Sequence, residues 1–165
     1  PDSMKYRLNN VITLRTFSKC YGLAGLRVGY GFAHHNLINN LMKVKLPFEP
    51  SLPAQQAALA AMTDYEHLNK TISLNNIEKN DIINVLEELN VNFIKSSTNF
   101  ITLIFKNVNQ STYFTENMLK EGILVRHLSS FGLAECVRVS IGTTEENKLY
   151  IEVLKNIIKS LNETI

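Results

Sequence analysis

The stretch that most constrains the fold lies near the start of the chain, over residues 16–32. A short β-branched and apolar run, residues 11–14, precedes it and has the composition of a buried strand. Four of the seven glycines fall within residues 22–31. Over residues 26–33, bulky side chains alternate with small ones, and this spacing predicts a strand whose second face holds Arg27 among very small residues. The stretch therefore predicts two strands joined by a polar, glycine-rich turn.

Polar side chains follow the first of these strands at the point where it ends. Thr16, Ser18 and Lys19 come there, and in open α/β sheets ligands bind outside the carboxyl ends of the strands. A deprotonated lysine forms a Schiff base with an aldehyde, and the fork of Arg27 suits a phosphate. An aldehyde with a phosphate describes pyridoxal 5′-phosphate. The alternative is that Lys19 is a solvated surface charge and that the glycines only form a turn.

The same stretch resembles the lysine motif of the fold-type I aminotransferases, which depend on pyridoxal phosphate. The matching pattern is Ser18-Lys19-x-x-Gly22-Leu23-x-Gly25-x-Arg27-x-Gly29-Tyr30. With Thr16 and Phe17 added, it is similar to the narrower family of histidinol-phosphate aminotransferases. The resemblance implies that Lys19 is the catalytic residue that carries the cofactor. It also implies that Thr16, Ser18 and Arg27 bind the phosphate of the cofactor. The spacing matches neither a P-loop nor a dinucleotide fingerprint.

The resemblance implies an α/β fold in two parts. Residues 1–75 would be the C-terminal part of the large α/β/α sandwich domain that binds the cofactor, and residues 76–165 the small α/β domain. The pattern itself predicts helices over residues 35–45 and 54–62. The second consists mainly of small residues and is expected to be buried. A capping box of Thr63 with Glu66 would open a long helix to about Leu89. Because that helix is polar at its centre, we place the boundary between the two domains near residue 75.

The second half of the chain predicts a small domain of strands and helices. The predicted strands cover residues 92–94, 100–105, 123–126 and 137–141, and a helix covers 110–121. Another capping box, from Thr143 to Glu146, opens the last helix. The predicted core face of that helix is Leu149, Val153, Leu154, Ile157, Ile158 and Leu161.

Two arginines of this half are out of phase with the apolar residues beside them. Arg138 alternates with valines and Arg126 follows an apolar run, so on pattern alone each is a surface or salt-bridged residue. Residues 137–147, however, resemble the C-terminal signature of the histidinol-phosphate aminotransferases. The resemblance implies that Arg138 binds the α-carboxylate of the substrate and that Arg126 and Asn99 also line the substrate site. Asn99 is equally explained as a turn residue before a strand.

Composition excludes several other classes of protein. The net charge is +2, tryptophan is absent and no basic stripe occurs, which argues against nucleic-acid binding. No apolar run approaches the roughly 20 residues that span a bilayer. Cys20 and Cys136 lie far apart and outside any metal-ligand spacing, so we expect a cytoplasmic protein with reduced thiols and without a bound metal.

The function implied by the resemblance is reversible amino transfer between an amino acid and a keto acid. Within that family the reaction would be histidinol-phosphate aminotransfer to 2-oxoglutarate in histidine biosynthesis, carried out by a homodimer. The chain begins too late to contain the family's upstream cofactor residues, so we expect a C-terminal fragment that is inactive alone. Threonine-phosphate decarboxylases and aromatic aminotransferases of the same family remain alternatives. From another class, the second half could be a non-catalytic ligand-binding domain.

Overall fold

The chain contains both helices and strands, which confirms the expected α/β class. The computed structural model of the protein describes residues 3–6 and 8–163. Its α-helices are α1 (His35–Val44), α2 (Leu52–Ala61), α3 (Tyr65–Glu88), α4 (Val108–Lys120) and α5 (Thr144–Glu163). Its strands are β1 (Ile12–Thr16), β2 (Gly29–Ala33), β3 (Asn92–Ile94), β4 (Phe100–Ile104), β5 (Arg126–His127) and β6 (Cys136–Ser140). The chain divides into two compact units, Pro1–Thr71 and Ile72–Ile165.

The first unit is built on an antiparallel pair of strands, β1 and β2. Their register runs from Ile12 opposite Ala33 to Thr16 opposite Gly29. The second strand begins at Gly29, so the prediction of a strand from residue 26 was wrong at its start. A 3₁₀ turn over Ala24–Leu26 occupies that segment, because the chain must reverse before it can pair with β1.

The apolar core of the first unit is small. Its buried members are Phe17, Val28, Ala54 and Ala58. Helix α2 was predicted to be buried, but only two of its five alanines, Ala54 and Ala58, are, and Leu59 is 61% exposed. Phe48 is 95% exposed. The unit therefore leaves much apolar surface in contact with solvent.

Helix α3 begins with an N-cap that differs from the predicted one. The backbone N–H of His67 donates to Oδ1 of Asp64 at 2.9 Å, whereas the hydroxyl of Thr63 donates back to the carbonyl of Ala60 at 2.9 Å. The predicted capping box of Thr63 with Glu66 was therefore wrong. A carboxylate at the N-cap satisfies a free N–H and also favours the positive end of the helix dipole.

The second unit is a four-stranded antiparallel sheet with helices on one face. The strand order is β3-β4-β6-β5. Alternate residues of β4 and β6, such as Leu103 and Val137, pack with the apolar sides of α3, α4 and α5. Full burial of such a side chain stabilises the fold by about 1.5–3 kcal/mol. On α5 the buried position is Tyr150, and the predicted core residue Leu149 is 51% exposed.

A buried carboxylate joins α3 to the turn between β6 and α5. Glu78 accepts hydrogen bonds from the hydroxyl of Thr144 and from Nδ2 of Asn147, the latter at 2.9 Å. Asn147 also donates to the carbonyl of Gly142 at 3.1 Å and accepts from its N–H at 3.0 Å. The polar centre of α3, which the sequence associates with a domain boundary, therefore includes a structural tie within the second unit.

The last helix begins as predicted. The N–H of Thr143 donates to Oε2 of Glu146 at 2.7 Å, and the N–H of Glu146 donates to the hydroxyl of Thr143 at 3.3 Å. Hydrogen bonding to the Glu146 carboxyl, from the Thr143 backbone N–H and then from the Thr143 side chain, holds its pKa below the usual range. The reciprocal pair is a capping box, and it fixes the point at which the chain turns from β6 into α5.

Candidate functional site

Lys19 lies in a tight loop directly after β1. The N–H of Ser18 donates to Oγ1 of Thr16 at 3.0 Å, and the N–H of Gly22 donates to the carbonyl of Lys19 at 2.8 Å. Phe17, whose side chain is 3% exposed, anchors the loop in the small core. Gly22 has φ = 69°, a left-handed conformation that glycine adopts without strain. The loop backbone is thus fixed, while the side chain of Lys19 is exposed to solvent.

Arg27 also lies in a turn, not on the small-residue face of a strand as the alternation predicted. Its backbone is left-handed, with φ = 55° and ψ = 45°, and it closes the 3₁₀ turn before β2. One guanidinium nitrogen, Nη1, donates to the carbonyl of Ala24 at 2.7 Å. The N–H of Phe17 donates to the carbonyl of Val28 at 3.4 Å. This bond brings the segment that follows Arg27 alongside the lysine loop.

The close approach of these two segments depends on a glycine. A Cβ atom at Gly29 would lie 2.6 Å from the carbonyl oxygen of Arg15, a contact that real Cβ atoms do not make. Since that oxygen belongs to the backbone, it has little room to move. Gly29 therefore allows β2 to pair with β1 directly opposite Thr16.

The donors around this loop suit a phosphate. Thr16 already accepts from Ser18, so its own hydroxyl proton is free to donate, and Ser18 is half-buried with a second hydroxyl. Lys19 and Arg27 form no ion pair within the part of the chain that the structure describes. Arg27 uses one of its five N–H donors on Ala24 and keeps the others. Two hydroxyls and two cations without acidic partners form a set that fits a phosphate monoester.

A second cluster of cations lies on the sheet of the second unit. Arg138 on β6 pairs with Arg126 on β5 and, on its other side, with Thr102 on β4. Side chains directly opposite one another share a face of the sheet. That face is the one away from α3, α4 and α5, since the alternate residues of β4 and β6 pack with those helices. Both sequence-predicted substrate arginines therefore lie together on the open face.

Aromatic rings accompany both arginines. The guanidinium carbon of Arg138 is 5.3 Å from the centroid of the Phe100 ring, and that of Arg126 is 6.0 Å from the centroid of Phe131. Such contacts contribute roughly 0.5–1 kcal/mol each at exposed positions and limit the rotamers of the arginine. The sequence analysis did not identify these two rings. For Phe100 the sequence does contain a signal, because residues two apart on a strand share a face and Phe100 is two residues before Thr102.

Arg126 and Arg138, which are opposite one another on neighbouring strands, together form a positively charged patch. Neither makes an ion pair with any carboxylate among residues 3–6 and 8–163. Like charges directly opposite on neighbouring strands are destabilising, by roughly 0.2–1 kcal/mol. An anion bound between them would remove this repulsion and accept several hydrogen bonds at once.

Asn99 directly precedes β4, an interior strand of the same sheet. Its carbonyl accepts the N–H of Ile141 at 2.9 Å, which extends the pairing of β4 with β6 by one residue. Its side chain is exposed and makes no hydrogen bond within the described part of the chain. Thr16, Ser18, Lys19 and Arg27 belong to the first unit, and Asn99, Arg126 and Arg138 to the second.

Within residues 3–6 and 8–163, no group of three or more histidine, cysteine or acidic side chains could hold a metal ion. In the same residues no helix has the length and apolarity needed to cross a membrane.

Comparison with known proteins assigns the chain to a family. It matches the family described as aminotransferase class I and II over residues 3–154. It is 41% identical over 160 residues to a histidinol-phosphate aminotransferase of Akkermansia muciniphila, a match that covers 96% of this chain and 43% of that protein. Histidinol-phosphate aminotransferase 1 of Nitrosococcus oceani is 37% identical over 153 residues, or 93% of this chain and 41% of that protein.

A solved structure gives the same result. The chain superimposes on the histidinol-phosphate aminotransferase of Sinorhizobium meliloti, crystallised in complex with pyridoxal 5′-phosphate, with a TM-score of 0.85 and 28% identity. The match covers 93% of this chain and 42% of that one. The chain thus spans less than half the length of the relatives that it matches. With the family match extending over most of its residues, the chain belongs to the class I and II aminotransferases.

Proposed function

We propose that the complete gene product containing residues 1–165 is a pyridoxal-phosphate-dependent aminotransferase. Its reaction is transfer of an amino group between histidinol phosphate and 2-oxoglutarate, in histidine biosynthesis. The observation that carries this proposal is the lysine loop, in which two hydroxyls flank the segment that bears Lys19, and Lys19 and Arg27 form no ion pair among the described residues. The names of the relatives at about 40% identity support the choice of substrate.

The residues of the first unit hold the cofactor in this proposal. Pyridoxal phosphate, when bound, supplies an aldehyde for an amine and a ring that accepts the electrons of the bond being broken. Lys19 provides the amine that binds this aldehyde. Once released, the same amine would take the proton from the substrate α-carbon as general base and deliver it, as general acid, to the carbon that came from the aldehyde. Thr16 and Ser18 donate hydroxyl protons to the phosphate, and Arg27 adds the charge-assisted bonds.

The residues of the second unit hold the substrate. Arg138 binds the α-carboxylate of glutamate with two parallel hydrogen bonds, which lysine cannot reproduce. Histidinol phosphate lacks that carboxylate, and its phosphate takes the same place between Arg138 and Arg126. Asn99, whose exposed side-chain amide has no hydrogen-bond partner among the described residues, contributes a neutral hydrogen bond. Fixing the anionic end of the substrate orients the bond to be broken.

The two compact units support a division into domains near residue 75. Residues 1–75 would complete the large cofactor domain and residues 76–165 would form the small domain of a cytoplasmic homodimer. Both cysteines are free, which is consistent with a reducing compartment. Because this chain spans only 43% of the relative that it matches, we expect residues 1–165 to be inactive alone.

An assay of the complete gene product tests the reaction and its alternatives. Glutamate with imidazole-acetol phosphate should give histidinol phosphate and 2-oxoglutarate, while threonine phosphate releases no carbon dioxide and aromatic keto acids react slowly. Lys19→Ala should lose about 10²–10⁴-fold or more of the rate. Lys45→Ala, which removes another lysine of the same unit, should keep it. Carbon dioxide release would favour the decarboxylase, and preference for aromatic keto acids the aromatic aminotransferase. Unchanged activity of Lys19→Ala would refute the assignment.

A further inference from the structure

We propose that Ser111 and His127 are positioning residues that hold Arg126 opposite Arg138. The inference rests on the proposed role of the arginine pair in binding the substrate anion. Arg126 belongs to β5, a strand of two residues. So short a strand does not fix its own register, and the neighbouring residue His127 supplies the missing constraint.

His127 points to the opposite face of the sheet from Arg126, since side chains alternate along a strand. There its Nε2 lies 3.0 Å from the hydroxyl of Ser111, which belongs to α4 and is fully buried. The same hydroxyl lies 2.7 Å from the carbonyl of Ala134 and 2.9 Å from that of Val108. One buried serine thus joins α4, β5 and the segment that leads into β6.

The hydrogen bonds determine which ring nitrogen carries the proton. Nδ1 of His127 accepts the backbone N–H of Ser129 at 3.4 Å, so the neutral ring carries its proton on Nε2. That N–H donates to the oxygen of Ser111. The single proton of the serine hydroxyl is then directed to a carbonyl, with Ala134 the nearer acceptor. Every polar group of this network has a partner in this one arrangement, which gives it a defined geometry.

His127 also acts on Arg126 by a second route. Its Nδ1 accepts the N–H of Ser129, the first residue of the 3₁₀ turn over Ser129–Phe131. Phe131 ends that turn, and its ring centroid lies 6.0 Å from the guanidinium carbon of Arg126. The imidazole therefore fixes both the strand that carries Arg126 and the ring beside its head group.

A double-mutant cycle separates positioning from mere core packing. The probe is glutarate, an unreactive dicarboxylate, and its Kd is measured by calorimetry on the complete gene product. Ser111→Ala and His127→Leu should each raise the Kd about 3- to 10-fold. His127→Gln keeps an N–H donor near Ser111 and should remain within about twofold of wild type. In the Arg126→Ala background, Ser111→Ala should have no further effect, because its influence passes through Arg126.

Three other outcomes would overturn the positioning role of Ser111 and His127. If the effects of Ser111→Ala and Arg126→Ala multiply, Ser111 acts on the fold in general and the proposal is overturned. If Arg126→Ala leaves the Kd unchanged while Arg138→Ala raises it, the proposal fails but the proposed function stands. If neither arginine affects the Kd, the substrate site itself is wrongly assigned. Nitrogen-15 NMR of His127 gives an independent readout, with the Nε2–H tautomer expected and the Nδ1–H tautomer contradicting the network.

Discussion

Arg126 and Arg138 are directly opposite residues of the neighbouring antiparallel strands β5 and β6. Their side chains share the face of the sheet that no helix of the second unit covers, and no described carboxylate pairs with them. A protein that only needed stability would not keep two cations in this position. The arrangement is the kind of local destabilisation that binding sites retain for an anionic ligand.

Removing one of these charges should cost the free protein little stability. Arg126→Gln is expected to keep the free energy of unfolding within about 0.5 kcal/mol of wild type, because relief of the like-charge repulsion offsets the lost contact with the Phe131 ring. The same variant should bind glutarate more weakly. Urea unfolding and calorimetry measure the two effects. Lys155→Gln, on the exposed side of α5, serves as the control and should change neither. A larger loss of stability in Arg126→Gln would show that the repulsion is already balanced in the free protein.

The buried carboxylate of Glu78 should make stability depend on pH. Hydrogen bonds from Thr144 and then Asn147 hold the pKa of Glu78 below its usual range. A lowered pKa gives stability that is present above the unfolded value of about 4.3 and is lost as pH falls through the lower, folded value. Glu78→Gln should therefore be less stable than wild type by about 1–3 kcal/mol at pH 7.

As the pH falls from about 4.3 through the lower, folded pKa of Glu78, the gap in stability between Glu78→Gln and wild type should narrow, because the wild-type carboxyl gains a proton. Urea unfolding at pH 7 and pH 3 measures the difference. Glu87→Gln, on the exposed side of the same helix, is the matched control and should match wild type at both values. An equal gap at both values for Glu78→Gln would mean that its charge is irrelevant.

Gly29 should be required for the pairing of β1 with β2. Gly29→Ala places a Cβ against the backbone oxygen of Arg15 and should destabilise the first unit by about 1–3 kcal/mol. It should also weaken binding of pyridoxal phosphate, since Thr16 lies opposite this residue. Gly31→Ala is the milder control, because its new contact is with the side chain of Leu14, which is 71% exposed and free to move. Hydrogen exchange of the β1 amides measures the strand pairing in both variants. Equal protection in Gly29→Ala and Gly31→Ala would contradict the requirement for glycine at position 29.

The start of α3 gives a direct test of the corrected cap. Asp64→Ala should destabilise the protein by about 0.5–2 kcal/mol, because the N–H of His67 loses its acceptor. Thr63→Ala should stay within about 0.5 kcal/mol of wild type, since its hydroxyl bonds only to Ala60. Urea unfolding of the two variants side by side decides between them. A larger loss in Thr63→Ala would restore the capping box predicted from the sequence.

The sequence predicts the order of the elements well because their signals are local. The alternation of valines in β6 and the reciprocal cap of Thr143 with Glu146 need no knowledge of the rest of the fold. The failures have a common cause in tertiary structure. Arg27 falls in the correct period for a strand, but the chain must reverse there, and it adopts a left-handed turn instead. Glu78 looks like a solvated residue in a polar stretch until Asn147, 69 positions later, is placed beside it.

In the candidate site too, some features have local sequence signals and others depend on tertiary structure. The two sequence motifs identify Lys19 and Arg138 as candidate site residues, and their roles remain predictions. The opposition of Arg126 and Arg138 follows from strand register, which a two-residue strand does not encode locally. Ser111 gives no sequence signal at all, because a serine inside a helix usually faces solvent or bonds to the backbone of its own helix. Its contact with His127 emerges only when α4 packs on the sheet.

The most direct test of the account is the covalent attachment of the cofactor to Lys19. The complete gene product is incubated with pyridoxal phosphate, reduced with borohydride, digested and analysed by mass spectrometry. We predict one stable label per chain, on the peptide that contains Lys19, with full labelling in Lys45→Ala and none in Lys19→Ala. A label on another lysine, or one spread evenly over the surface lysines, would contradict the central claim that this loop carries the cofactor.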